Sequence, residues 1–242
     1  MDSNVKLRPD IEKKPIDELG SLEDQFEDLL HTASHAEAQR QRFALCVDAT
    51  GSMSGTWRTA KEALKQAVNE IKTRALVPIQ IKVVGYRDHM NEDPEHVLSK
   101  SEWSDDTDYL HHFIESTRCF GGGDYPESIG HALACLLTDQ QQVKQVILIG
   151  DAPSKYGSFG YAEAQTMGSQ GCPIFALYTN KEESLVACFE KLARLSGGRA
   201  FHLTSDADMS EIFKILLAQN KALQISYQPT TIEGRRLADT LK

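Results

Sequence analysis

Two apolar runs in this sequence stop at an aspartate: FALCVD, ending at Asp48, and QVILIGD, ending at Asp151. If both are strands of one parallel sheet and lie side by side, their backbones are about 4.8 Å apart. Two ionised carboxylates that close repel, so either one keeps its proton or a cation sits between them. The residues after Asp48 favour the cation. The chain reads DATGSMS, with hydroxyls at Thr50 and Ser52 on alternate positions of a turn through Gly51. Such a turn can aim Asp48, Thr50 and Ser52 at one point. Carboxylate and hydroxyl oxygens form a hard donor set, suited to Mg²⁺ or Mn²⁺ and unsuited to zinc. A third set of oxygens comes from GGGDYPES, where the glycines permit a close backbone approach and Asp124 and Glu127 are the acids on offer. Asp124 reads as a loop cap, an outer group or an alternative ligand. Glu127 reads as a ligand or as a first-turn acid favoured by a helix dipole.

The elements that must position these groups follow from periodicity. Strands are expected at 43–48, 79–88, 96–103, 145–151, 173–178 and 199–203. Helices are expected at 56–75, from an Asp105 cap to about residue 116, after Pro126, at 161–169, at 182–195 up to Gly197, and at 206–220. This alternation predicts an α/β fold: a doubly wound, mostly parallel six-stranded sheet with one antiparallel strand and helices on both faces. In such a sheet, ligands sit beyond the carboxyl ends of the strands where the strand order reverses.

The remaining segments are read as extensions of one domain, 42–220. Residues 1–20 are charged, contain two prolines and are expected to form a flexible arm. Residues 21–41 carry Leu22, Phe26, Leu29 and Leu30 at helical spacing, as in an amphipathic helix that packs on its own domain or on a partner. Residues 221–242 form a C-terminal extension containing ALQISYQP, a strand or an extended strap. A net charge of −9 argues against a general nucleic-acid or anionic-membrane binder. No apolar stretch is long enough to span a bilayer, and the polar N-terminus lacks the apolar region of a secretory signal. Five cysteines without a CxxC pair give neither a disulfide framework nor a zinc motif. The expected location is cytoplasmic.

With these motifs in place, a resemblance is evident. D-x-T-x-S after the first strand resembles the D-x-S-x-S metal-ion-dependent adhesion site (MIDAS) of von Willebrand factor A (VWA) domains, with Thr50 in place of the first serine. LIGDA around Asp151 resembles the family's late strand and its distal metal-site aspartate. GGGDYPES resembles the D-x-P-E loop in the A-like domains of integrin β chains, so Glu127 takes a role usually played by a threonine. VGYRDH at 84–89, with DATGSM and IGDAP, is similar to the branch found in hemicentins and alpha-kinase-linked proteins. The resemblance covers about residues 42–220 and implies a Rossmann-like VWA fold that binds protein and is not an enzyme. It also implies a metal set of Asp48, Thr50, Ser52, Glu127 and Asp151. Mg²⁺ is the expected ion, with Mn²⁺ or Ca²⁺ as alternatives because Glu127 adds negative charge. A partner's Asp or Glu would fill the open position, and ligation could couple to the helix at 206–220. Stand-alone intracellular A domains serve in complexes with AAA+ ATPases, kinases or chelatases, and nothing in the sequence selects one. It is equally silent on oligomeric state.

Other residues carry weaker readings. Asp88 and His89 end the second strand on the ligand side and could line a partner surface, although loop packing explains them as well. Tyr156, with Phe159 and Tyr161, could form an aromatic rim or pack in the core. His31 and His35 have metal-binding spacing but no third ligand. The competing enzyme reading is a Mg²⁺-dependent aspartyl-phosphate phosphatase of the haloacid dehalogenase type with Asp48 as nucleophile. It lacks an acid at the position after Ala49, and it lacks the second acid after Asp151. No G-x-G-x-x-G follows the first strand, against a dinucleotide site. A third reading is a scaffold with a vestigial site.

Overall fold

A computed structural model describes residues 40–74, 77–88, 97–122, 127–139, 142–154 and 160–203, together with Phe26, Glu27 and Leu30. The chain divides into two compact units, Met1–Gln39 and Arg40–Lys242, and the second carries the sheet. In the first, Phe26, Glu27 and Leu30 are helical. The expected arm at 1–20, the helix at 206–220 and the extension at 221–242 lie outside the described residues. So do His89, Asp124 and Tyr156.

Six strands form one sheet: β1 (Gln41–Asp48), β2 (Ile79–Tyr86), β3 (Leu98–Lys100), β4 (Gln145–Gly150), β5 (Ile174–Tyr178) and β6 (Ala200–His202). The described helices are α1 (Trp57–Arg74), α2 (Thr107–Ser116), α3 (Ile129–Thr138), α4 (Tyr161–Ser169) and α5 (Glu183–Ser196). Strand order is β3-β2-β1-β4-β5-β6. All neighbours are parallel except β3, which runs against β2. The chain winds outward through β2 and β3, then returns to β1's other side with β4. The order therefore reverses between β1 and β4.

The central strands carry continuous apolar runs, Phe43–Val47 in β1 and Val146–Ile149 in β4, because both of their faces are covered. Strand alternation sorts their side chains. Phe43, Leu45 and Val47 of β1 pack with Leu64, Val68 and Ile71 of α1 and Leu110 and Ile114 of α2. Ala44 and Cys46 join the opposite cluster, with Leu133 of α3, Met167 of α4 and Phe189 of α5. Helices on both faces thus pin the sheet, and with it the level at which β1 and β4 end.

Several boundaries depart from the sequence expectations. β1 begins at Gln41, whose N–H bonds the Pro78 carbonyl at 2.9 Å, so the preceding helix cannot extend to residue 41. β3 has three residues and not eight, although Ser104 still bridges Ile81. The cap of α2 is Asp106 and not Asp105, because the Asp106 carboxylate accepts from the N–H groups of Asp108 and Tyr109. α3 begins only at Ile129, so Glu127 is not a first-turn acid. Its N–H bonds the Pro153 carbonyl at 2.7 Å, and that pairing keeps the backbone extended. α5 ends as expected, with Gly197 in the left-handed region at φ 79°. Among the described residues, no helix is long and apolar enough to cross a membrane.

All five cysteines are free thiols. Burial raises Cys46 far above the usual thiol range, pushes Cys172 up to about 12 and raises Cys188. Iodoacetamide at pH 8 is therefore expected to spare Cys46, Cys172 and Cys188 in the native chain and to label them in urea. Peptide mapping by mass spectrometry reads this directly. Native labelling at Cys46 would contradict the packing of β1.

Candidate metal centre

The two aspartates that end the apolar runs meet at the reversal point. β1 and β4 are hydrogen-bonded neighbours in the register Val47↔Ile149, so Asp48 and Asp151 follow side by side at their carboxyl ends. Asp48 is fully buried and Asp151 is half-buried. After Asp48 the chain closes into a short 3₁₀ turn, Gly51–Gly55, which buries Met53 and leaves Ser52 exposed.

The hydroxyls link the two acids in a chain. Asp48 Oδ1 accepts from Thr50 N at 2.9 Å and from Thr50 Oγ1 at 2.6 Å. Thr50 Oγ1 lies 3.0 Å from Ser52 Oγ, and Ser52 Oγ donates to Asp151 Oδ1 at 3.0 Å. Asp48 Oδ2 is buried and has no hydrogen-bond partner among the described residues. Burial raises the Asp48 carboxyl to about 7, the two bonds from Thr50 oppose this, and the charge of Asp151 raises it further. A carboxylate oxygen cannot donate, so two ionised acids cannot bond each other. Burial and the neighbouring acid therefore favour a proton or a cation at Asp48.

The glycine-rich segment forms the second wall. Phe120 N–H bonds the Ala49 carbonyl, and the Gly121 carbonyl accepts from Gly51 N, each at 3.1 Å. Gly121 and Gly122 have φ of 74° and 93°, a turn that favours glycine. A side chain at Gly122 would meet Thr50 Cβ at 3.7 Å and Glu127 Oε1 at 3.9 Å. Glu127, 3% exposed, therefore brings its carboxylate up to the Asp48 loop. Its backbone is fixed by the parallel bridge to Ser154, just beyond Asp151. Among the described residues, no three Asp, Glu, His or Cys side chains converge as a ligand group. The oxygen set therefore depends on Thr50 and Ser52 as much as on the acids.

Asp88, offered by the sequence as partner surface, is 4% exposed and does not form part of an open face. Two residues that the sequence did not single out border the site. Arg87 donates to Ser99 Oγ at 2.8 Å and to the Arg118 carbonyl at 2.7 Å, and its guanidinium stacks on the Phe120 ring with 4.2 Å to the centroid. It thereby holds the loop that leads from α2 into the glycine-rich segment. Tyr86 lies beneath Asp48. A charged residue ending an apolar strand was the available signal for Arg87. The side-chain reach of Tyr86 had none.

The family model of the von Willebrand factor A domain matches residues 42–205. The chain belongs to this family. Among curated proteins, this VWA chain is similar to an ariadne-like RING finger protein of Acanthamoeba polyphaga mimivirus, 34% identical over 182 residues. That match covers 67% of this chain but only 18% of the viral protein. Among solved structures, proximal thread matrix protein 1 of the mussel byssus, with a zinc-occupied MIDAS motif, superimposes with a TM-score of 0.56 at 19% identity. It covers 72% of this chain and 44% of the mussel protein. The SpRpn10 VWA domain gives a TM-score of 0.56 at 9% identity, covering 78% of this chain and 99% of that one. These likenesses agree with the sheet order and helix placement of the VWA fold.

Proposed function

We propose that this VWA domain holds one divalent cation, Mg²⁺ by the hardness of its donors, and uses it to bind a partner protein through an Asp or Glu side chain. The observation that carries this reading is the buried, unpartnered Asp48 Oδ2 at one end of a hydroxyl–carboxylate chain that opens to solvent at Ser52. Asp48, Thr50, Ser52 and Asp151 would hold the ion, with Glu127 as a further acid and Asp124 as an outer or alternative one. Their oxygens fit a small hard ion, and Mn²⁺ or Ca²⁺ would compete for the same place. The zinc-occupied MIDAS of the mussel protein supports a divalent ion in this fold. When bound, the ion supplies a positive centre to which a partner carboxylate can attach. Asp48 and Thr50 anchor the buried side, while exposed Ser52 and half-buried Asp151 form the accessible side.

Buried Asp48, with one oxygen already engaged twice by Thr50, is poorly placed as a nucleophile, so the phosphatase alternative is not favoured. A cytoplasmic setting, an AAA+ ATPase or kinase assembly, and the hemicentin and alpha-kinase-linked branch are the corollaries to pursue, on the grounds of the thiols and the VGYRDH segment. Isothermal titration with Mn²⁺ and Mg²⁺ tests the site. Asp151→Ala is expected to weaken binding by about 100-fold, since even outer contacts to a metal ligand are worth about 10–100-fold. Equal affinity of the two proteins would remove the assignment. A Mg²⁺-dependent pull-down from native extract, lost in Asp151→Ala, tests the partner.

A further inference from the structure

We infer that Tyr86 is the positioning residue of this site. Its phenol would hold the Asp48 and Asp151 strand ends at the spacing a shared cation requires. The inference rests on the cation reading above. It starts from one row across the sheet. At the carboxyl end of the strands, Tyr86 of β2 is in register with Asp48 of β1, and the register Val47↔Ile149 puts Gly150 of β4 next along the row. Strand alternation sends Tyr86 to the same face as Ala44 and Cys46, and Asp48 lies two residues beyond Cys46 on that face.

Tyr86 brackets Asp48 from two sides. Its backbone carbonyl accepts from Ala49 N at 2.8 Å, immediately after Asp48. Its hydroxyl passes β1 and donates to the Ile149 carbonyl of β4 at 2.8 Å. One side chain thus ties β2 to β4 across the strand that carries Asp48. The phenol is fully buried, so neither bond is exchanged with water. Because the hydroxyl proton is committed to backbone, it does not satisfy Asp48 Oδ2, which stays free for a cation.

Gly150 is the complement of this phenol. A Cβ placed there would collide with the Tyr86 hydroxyl, and would lie 3.2 Å from Phe189 Cζ and 3.5 Å from Asp48 Cβ. The absent side chain is therefore the space the hydroxyl occupies. Gly150 immediately precedes Asp151, so a shift of the phenol is transmitted to both acids at once.

Titration with Mn²⁺ alone, followed by calorimetry, tests the inference on Tyr86→Phe, Gly150→Ala and the double variant. Ser196→Ala serves as the control. Ser196 Oγ accepts from Ile174 N and donates to the Ala193 carbonyl at the far end of β5, so its loss costs stability away from the site. Tyr86→Phe is expected to bind Mn²⁺ about tenfold more weakly, while Ser196→Ala keeps wild-type affinity despite a comparable fall in Tm. Gly150→Ala is expected to weaken binding, and adding Tyr86→Phe to it should restore part of the loss, because the methyl then fills the vacated hydroxyl space. Should Tyr86→Phe fail to fold, the comparison of Gly150→Ala with the double variant decides. Unchanged affinity in Tyr86→Phe, an equal loss in Ser196→Ala, or a double variant no better than Gly150→Ala would overturn the positioning role while leaving the cation reading intact. A wild-type chain that does not bind Mn²⁺ would remove both.

Discussion

In the absence of divalent cations at pH 8, Asp48→Asn is expected to melt about 10 °C above the wild-type chain. Burial raises the Asp48 carboxyl from 3.8 to about 7 in the folded protein. The folded state therefore keeps this proton between about pH 4 and pH 7, where the unfolded chain has already lost it. A group of this kind contributes its stability fully below the unfolded value, and that contribution is lost as pH rises through about 7. The difference amounts to about 4 kcal/mol, or about 10 °C for a chain of this size. Asparagine carries no charge to desolvate, and its amide can donate toward Asp151 where the carboxylate could not. The wild-type profile should thus fall from acid to neutral pH, and that of Asp48→Asn should run flatter. Mn²⁺ should narrow the gap at pH 8. An ion at about 100 times its Kd adds about 2.7 kcal/mol to the wild-type chain and little to the variant, which lacks the anchoring charge. Calorimetric melts of both proteins at pH 5 and pH 8, with Mn²⁺ or with EDTA, give the full comparison. Parallel pH profiles for the two proteins would mean that Asp48 is not held in the buried, uncompensated state the structure shows.

The second large effect concerns the scaffold. Gly198→Ala is expected to cost about 3 kcal/mol or more in urea denaturation. A Cβ at Gly198 would fall on the Ile174 carbonyl oxygen and lie 2.6 Å from its carbon and 2.9 Å from the Ile174 nitrogen. These are all backbone atoms at the start of β5, so no rotamer change relieves the clash. Either β5 or the turn out of α5 must move, and β6, which pairs with β5 from Ala176↔Ala200, moves with it. Gly55→Ala is the control, since nothing lies within 4 Å of its Cβ position. Equal stability of the two variants would contradict the packing of α5 against β5.

The residues of the candidate site were legible because each announces itself locally. Asp48 and Asp151 end apolar runs, and Thr50 and Ser52 follow at the spacing a tight turn needs. The parallel order was legible because strands and helices alternate. Glu127 was legible as an acid near the site but not in its backbone state. Whether it opened a helix or paired with another loop depended on the Pro153 carbonyl, which lies beyond α3 and β4 in the sequence. Asp88 was open to two readings, partner surface or loop packing, and its burial at 4% exposure fits the packing one.

The chain's one-dimensional pattern was thus enough for an alternating, mostly parallel α/β sheet and for the oxygen types at the ends of two apolar runs, since periodicity and strand-end acids are properties of short windows. Its motifs carried the resemblance to VWA domains, and only the sheet decided that β1 and β4 lie side by side. Tertiary structure alone decided that Asp48 is buried with one oxygen unpartnered, that Ser52 is the accessible hydroxyl, and that Tyr86 reaches over β1 to β4. Burial and cross-strand reach are set by which distant segments close over a residue, and no local window carries that information.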